Sequence, residues 1–105
     1  MTRASMTPPA FHNTYNLSES QLEQLDRAEE LMETQKLNHA ENLLLEMLEK
    51  SPECIPVLNN LGVIYGKYFL EYEKAISYYE KVLSLEPSNE WARNERRRYE
   101  RYNSY

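Results

Sequence analysis

Five pairs of residues recur 35 positions apart in this chain: Leu37 and Tyr72, Ala40 and Ala75, Leu44 and Tyr79, Leu48 and Leu83, Pro52 and Pro87. Self-similarity with a period of about 20–50 residues is the signature of repeat architectures, in which each unit buries its apolar face on the next. The recurring residues are also chemically consistent: a small residue, then a large apolar one, then proline. At 105 residues the chain has room for one domain, hence for two such units and a remainder.

Within the units, apolar residues recur at three and four, as on one face of a helix. Ser18 with Gln21 forms a capping box opening a first helix, whose stripe is Leu22, Leu25, Ala28, Leu31 and Met32. A second helix starts near Asn38, carries Ala40, Leu43, Leu44, Met47 and Leu48, and is stopped by Pro52. A third is expected over residues 55–68, with Pro56 tolerated in its first turn and Leu58, Leu61, Gly62, Ile64 and Tyr65 packing inward. A fourth is expected over residues 72–85, carrying Ala75, Ile76, Tyr79, Val82 and Leu83, before Pro87. Ser88 or Asn89 caps a fifth through about Tyr102, mostly polar, with Trp91, Ala92 and Tyr99 as apolar contacts. No segment alternates with period two, so the fold class is all-α with five helices. Residues 1–17, which include Pro8-Pro9, have no period and read as a flexible N-terminal arm; Phe11 and Tyr15 offer it a way to pack back.

The second unit reads Leu58-x2-Leu61-Gly62-x2-Tyr65, then Ala75-x3-Tyr79, then Pro87. This resembles the tetratricopeptide repeat, whose signature is W-x2-L-G-x2-Y, then A-x3-F, then P. Leu58 replaces the tryptophan and Tyr79 the phenylalanine. The first unit keeps Ala28, Leu31, Ala40, Leu44 and Pro52, but has Gln24 and Arg27 where tryptophan and leucine are expected. Gly62 to Ala75 spans 13 steps against 12 from Ala28 to Ala40, so the second unit holds one extra residue, expected in the turn near Phe69, Leu70 and Glu71. The resemblance implies helix-turn-helix repeats in a right-handed superhelical α-solenoid. The domain then covers residues 18–103: a degenerate repeat over about 21–54, a second over about 55–89, and a capping helix over about 89–102.

The same resemblance implies a concave groove lined by the first helix of each pair. That face is Leu22, Leu25, Glu29, Met32 and Glu33 on the first helix, Asn59, Val63, Gly66 and Lys67 on the third, and Trp91, Asn94 and Arg98 on the fifth. The expected function is a non-enzymatic protein–protein interaction module, an adaptor or small chaperone holding a helical or extended segment of a partner. The alternatives are a homo-oligomeric assembly element, with a homodimer as the simplest form, and RNA binding through the C-terminal Arg/Tyr helix. The chaperone-tail subclass of the family holds a terminal carboxylate with Lys, Asn and Arg. Here only Asn60 agrees; Leu25, Glu29, Trp91 and Glu95 stand at the other positions, so no binding to acidic C-terminal tails is expected.

Charge and inventory narrow the classes further. Residues 19–50 carry −6, residues 53–89 carry −2 and residues 90–105 carry +2, against a net charge of −5. The acidic front half disfavours nucleic acid, since phosphate contacts need Lys and Arg; only Arg93, Arg96, Arg97, Arg98 and Arg101 serve that chemistry. His12 and His39 are the only histidines and Cys54 the only cysteine, so no nucleophilic, metal or cofactor arrangement is expected. No apolar run approaches the roughly 20 residues of a membrane span. With no signal-like leader and a lone cysteine, a cytoplasmic location and no membrane partner are expected.

Overall fold

A computed structural model of the chain describes residues 14–104. Within them lie five helices and no strand: α1 (Glu19–Glu33), α2 (Leu37–Lys50), α3 (Ile55–Val63), which runs straight into a π-helical turn (Ile64–Tyr68), α4 (Tyr72–Leu85) and α5 (Glu90–Asn103). Ser18 caps α1 with the expected box: its hydroxyl accepts from Gln21 N–H at 3.1 Å, and Gln21 Oε1 accepts from Ser18 N–H at 2.8 Å. Asn89 caps α5, its Oδ1 accepting from Ala92 N–H at 2.9 Å.

Successive helices run antiparallel, as their cross-contacts require. The start of α1 meets the end of α2 through Gln21 Nε2, which donates to Ser51 Oγ at 3.2 Å. Early in α2, Glu41 Oε2 accepts from Tyr65 OH of the π-turn at 2.7 Å. The start of α4 meets the end of α5, where the Tyr72 and Tyr102 rings lie 5.6 Å apart. Each helix packs chiefly on its neighbours in sequence. Ala28, Ala40, Leu44, Leu58, Leu61, Ala75, Tyr79 and Val82 are fully buried in one continuous core.

The backbone repeats as the sequence does. Between α1 and α2, Thr34 (φ −92°, ψ 12°), Gln35 (φ 65°) and Lys36 (φ −93°, ψ 65°) make the turn. Thirty-five residues on, Phe69 (φ −91°, ψ −12°), Leu70 (φ 57°) and Glu71 (φ −97°, ψ 82°) make it again. Ser51 (φ −137°, ψ 81°) after α2 matches Glu86 (φ −134°, ψ 85°) after α4, and Cys54 before α3 matches Asn89 before α5. The extra residue of the second unit is therefore not in the turn at 69–71, as its sequence suggested, because that turn has the same length as the first. Gln35 and Leu70 both stand five residues before the buried alanines Ala40 and Ala75, whereas Leu70 follows Gly62 by eight and Gln35 follows Ala28 by seven. The insertion is absorbed upstream, where Phe69 N–H reaches Ile64 O at 2.9 Å and opens the α-helix into a π-turn.

The arm lies largely outside the described residues, including Pro8, Pro9, Phe11 and His12. Its last residues are attached to the domain: Leu17 packs on the core, and Tyr15 OH donates to Glu86 Oε1 at 3.0 Å, tying the chain before α1 to the turn after α4.

Candidate partner-binding face

The twelve groove positions divide into two groups. On α1, Leu25 and Met32 are buried, Leu22 and Glu29 half-buried, and only Glu33 is exposed. These α1 positions do not form an open face, and the cause is local. Gln24 and Arg27 stand where α3 places the fully buried Leu58 and Leu61, and neither polar side chain is buried there. The helix instead turns Leu25, Ala28 and Met32 inward, a stripe one position round. Two residues assigned to the groove are therefore core.

Past α1, every predicted position except Gly66 remains accessible. Asn59 and Val63 are half-buried; Lys67, Asn94, Arg98 and Trp91 are exposed, Trp91 by 50%. An exposed tryptophan is apolar surface left in water, and aromatic residues are enriched at protein interfaces. Gly66 is buried, with the Tyr99 ring over it. Asn59 Oδ1 is shielded from solvent and accepts no hydrogen bond. Asn59 and Asn94 are 35 residues apart, so the face offers side-chain amides at repeat spacing. Lys67 Nζ lies 5.6 Å from the Tyr68 ring centroid, and Arg98 Nε lies 3.6 Å from Glu95 Oε2.

Behind this face the tyrosines form a stack that fixes the helices. Tyr65 stacks on Tyr78 at 5.5 Å, with Lys74 Nζ 4.6 Å from its ring centroid. Tyr99 stacks on Tyr72 at 5.7 Å and on Tyr79 at 6.3 Å. Tyr99 is buried in the core, as its place among the apolar contacts of the fifth helix suggested, whereas Tyr102 is 43% exposed. Burial pushes the Tyr79 hydroxyl well above its ordinary range, with Glu95 adding to the shift. Burial and then the Glu41 hydrogen bond do the same for Tyr65.

Among the described residues no group of His, Cys, Asp and Glu could hold a metal ion, and no helix is long and apolar enough to cross a membrane. Cys54 is buried, and burial raises its thiol pKa. His39 is exposed in the first turn of α2, which has no side-chain cap. A depression between the start of α4 and the end of α5, lined by Glu71, Tyr72, Glu73, Lys74 and Asn103, contains none of the predicted residues. No family model matches the chain, and no curated protein matches it.

Proposed function

We propose that this chain is a two-unit helical-repeat module of the tetratricopeptide type, stacked as a right-handed superhelix, whose α3–α5 face binds another protein without catalysing a reaction on it. The observation that carries this reading is the 35-residue recurrence of both turn conformations together with the buried positions Ala40/Ala75, Leu44/Tyr79 and Met47/Val82. In such arrays the face built from the first helix of each unit is the one left open to a ligand. Asn59, Val63, Lys67, Trp91, Asn94 and Arg98 stand on it. The exposed Trp91 offers an anchor surface. Lys67 and Arg98 favour a segment with a carboxylate beside its apolar residue. The role that fits is that of an adaptor or a small chaperone.

The test is affinity capture from nuclease-treated lysate with wild type and with Trp91→Ala/Lys67→Glu, both exposed positions. Amide exchange then maps the captured partner's footprint. Protection on α3 and α5, and loss of capture in the variant, are expected. A partner that the variant retains, or one that protects α2 and α4 instead, overturns the reading.

A further inference from the structure

The two end helices of the array carry opposite charge on the faces that no other described helix covers. On α1, Glu19, Glu23, Asp26, Glu30 and Glu33 follow at steps of four and three, which puts them in one row, and all are exposed. The buried stripe Leu25, Ala28, Met32 lies on the opposite side of the same helix. On α5 the buried stripe is Ala92, Glu95 and Tyr99, and Arg93, Arg97 and Arg101 follow at steps of four on the outer side. The surroundings of Arg97 and Arg101 differ from those of the other α5 arginines. Arg96 lies 3.7 Å from Glu100, Arg98 lies 3.6 Å from Glu95, and Arg93 Nη2 donates to Pro87 O at 3.0 Å. Arg97 and Arg101 are exposed and have no ion pair among the described residues. The same holds for Glu19, Glu23, Glu30 and Glu33.

We infer that the chain associates with itself head to tail, the arginine row of α5 in one copy docking on the acidic row of α1 in the next. The occupant is a second copy because this chain itself displays the complementary surface. At 1.5 Å per residue the acidic row is about 21 Å long and the arginine row about 12 Å, so the shorter row fits within the longer. Trp91 and Tyr102, exposed on one flank of α5, supply apolar area beside the charges. The contact is heterologous: each assembly keeps one free acidic and one free basic end, so association continues into chains or closes into a ring. Exposed ion pairs are individually weak and screened by salt, so the association is concentration-dependent and salt-sensitive. This inference does not depend on the α3–α5 face binding a partner.

The test is sedimentation velocity of the purified full chain across a concentration series at about 0.01 M and about 1 M salt, where the screening length falls roughly tenfold. Wild type is expected to form faster-sedimenting species at low salt that dissociate at high salt. Arg97→Glu/Arg101→Glu turns the α5 row net acidic like α1, and Glu19→Lys/Glu23→Lys/Glu30→Lys/Glu33→Lys turns the α1 row net basic like α5. All six positions are exposed, and circular dichroism checks that each variant folds. Each variant alone is expected to stay monomeric, and an equimolar mixture to associate again, since every end then meets its opposite. A wild type that is monomeric at low salt overturns the inference, as does association that survives either charge reversal. Species that vanish on nuclease treatment also overturn it, and assign the arginine row to nucleic acid.

Discussion

The ring of Tyr79 lies directly on the backbone of Gly62: a Cβ atom at that position stands 2.5 Å from Tyr79 Cζ and 2.8 Å from both Cε atoms. Tyr79 is fully buried and stacked on Tyr99, so it has nowhere to go. The equivalent positions of the first pair hold Ala28 and Leu44, both fully buried. The two units thus solve one packing problem with different sizes: alanine under leucine in one, glycine under tyrosine in the other.

Gly62→Ala tests that exchange. Alanine gains about 1 kcal/mol of helix propensity over glycine, while overpacking costs about 1–3 kcal/mol and rises with the severity of the clash. At 2.5 Å the clash dominates, and urea unfolding is expected to show a net loss of about 1–2 kcal/mol. Gly62→Ala/Tyr79→Leu reproduces the pair of the first unit. A double-mutant cycle is expected to show that the alanine costs less beside leucine than beside tyrosine; simple additivity would show that the two positions do not share the contact.

The same substitution at two tyrosines is expected to act with opposite sign. Tyr65 OH donates to Glu41 Oε2 at 2.7 Å, so Tyr65→Phe removes a hydrogen bond to a charged acceptor and leaves Glu41 short of a donor. A loss of about 1.5–3 kcal/mol is expected. Tyr79 OH is buried with no hydrogen-bond partner. Removing an unsatisfied buried hydroxyl relieves desolvation, so Tyr79→Phe is expected to be neutral or to stabilise by up to about 1 kcal/mol. Thermal melts of both variants side by side decide the matter; a large loss for Tyr79→Phe would mean that its hydroxyl has a partner in solution.

Much of this was legible in the sequence, and what was not has identifiable causes. The helix start at Ser18 could be read, and that of α5 to within Ser88 or Asn89, because capping is local chemistry, and the repeat because it is a spacing. The placement of Leu25 and Met32 could not, because the polar Gln24 and Arg27 decide which way α1 faces only once α2 and α3 are beside it. The Tyr15–Glu86 hydrogen bond joins residues 71 apart, a distance at which no periodicity carries information. The row of five carboxylates on α1, by contrast, is a spacing and is visible in a helical projection of the sequence alone.

Alkaline pH is expected to unfold the protein through its tyrosines. Tyr65, Tyr79 and Tyr99 have hydroxyls raised above the ordinary value of 10.0, in each case by burial first, and Tyr15 is raised by burial and then by Glu86. In the unfolded chain these groups lose their protons near pH 10, while the folded chain still holds them. The folded state then binds more protons, so stability is fully present below pH 10 and falls as pH rises beyond it, by at most about 1.4 kcal/mol per pH unit for each of the buried Tyr65, Tyr79 and Tyr99 and by less for the solvent-screened Tyr15. Tyrosinate absorbance followed with circular dichroism is expected to show a late fraction that ionises together with the loss of helix. Smooth titration of every tyrosine before any helix is lost would contradict this.

Deleting single residues locates the insertion of the second unit. Lys67 is exposed in the π-turn, and its removal lets Ile64–Tyr68 close to ordinary α-helix while Leu70 stays five residues before Ala75. The unit then has the spacing of the first, from Gly62 to the left-handed turn residue as from Ala28 to Gln35. Deleting Leu70 keeps the π-turn but removes the residue at φ 57° on which the chain reverses, leaving Phe69 and Glu71 to make a turn that takes three residues in both units. The Lys67 deletion is expected to keep the fold and a cooperative melt within about 1–2 kcal/mol of wild type. The Leu70 deletion is expected to lose several times that, or to lose cooperativity. Had the extra residue sat in the turn, as its sequence suggested, Leu70 would be the expendable one and the order of the two melting temperatures would reverse.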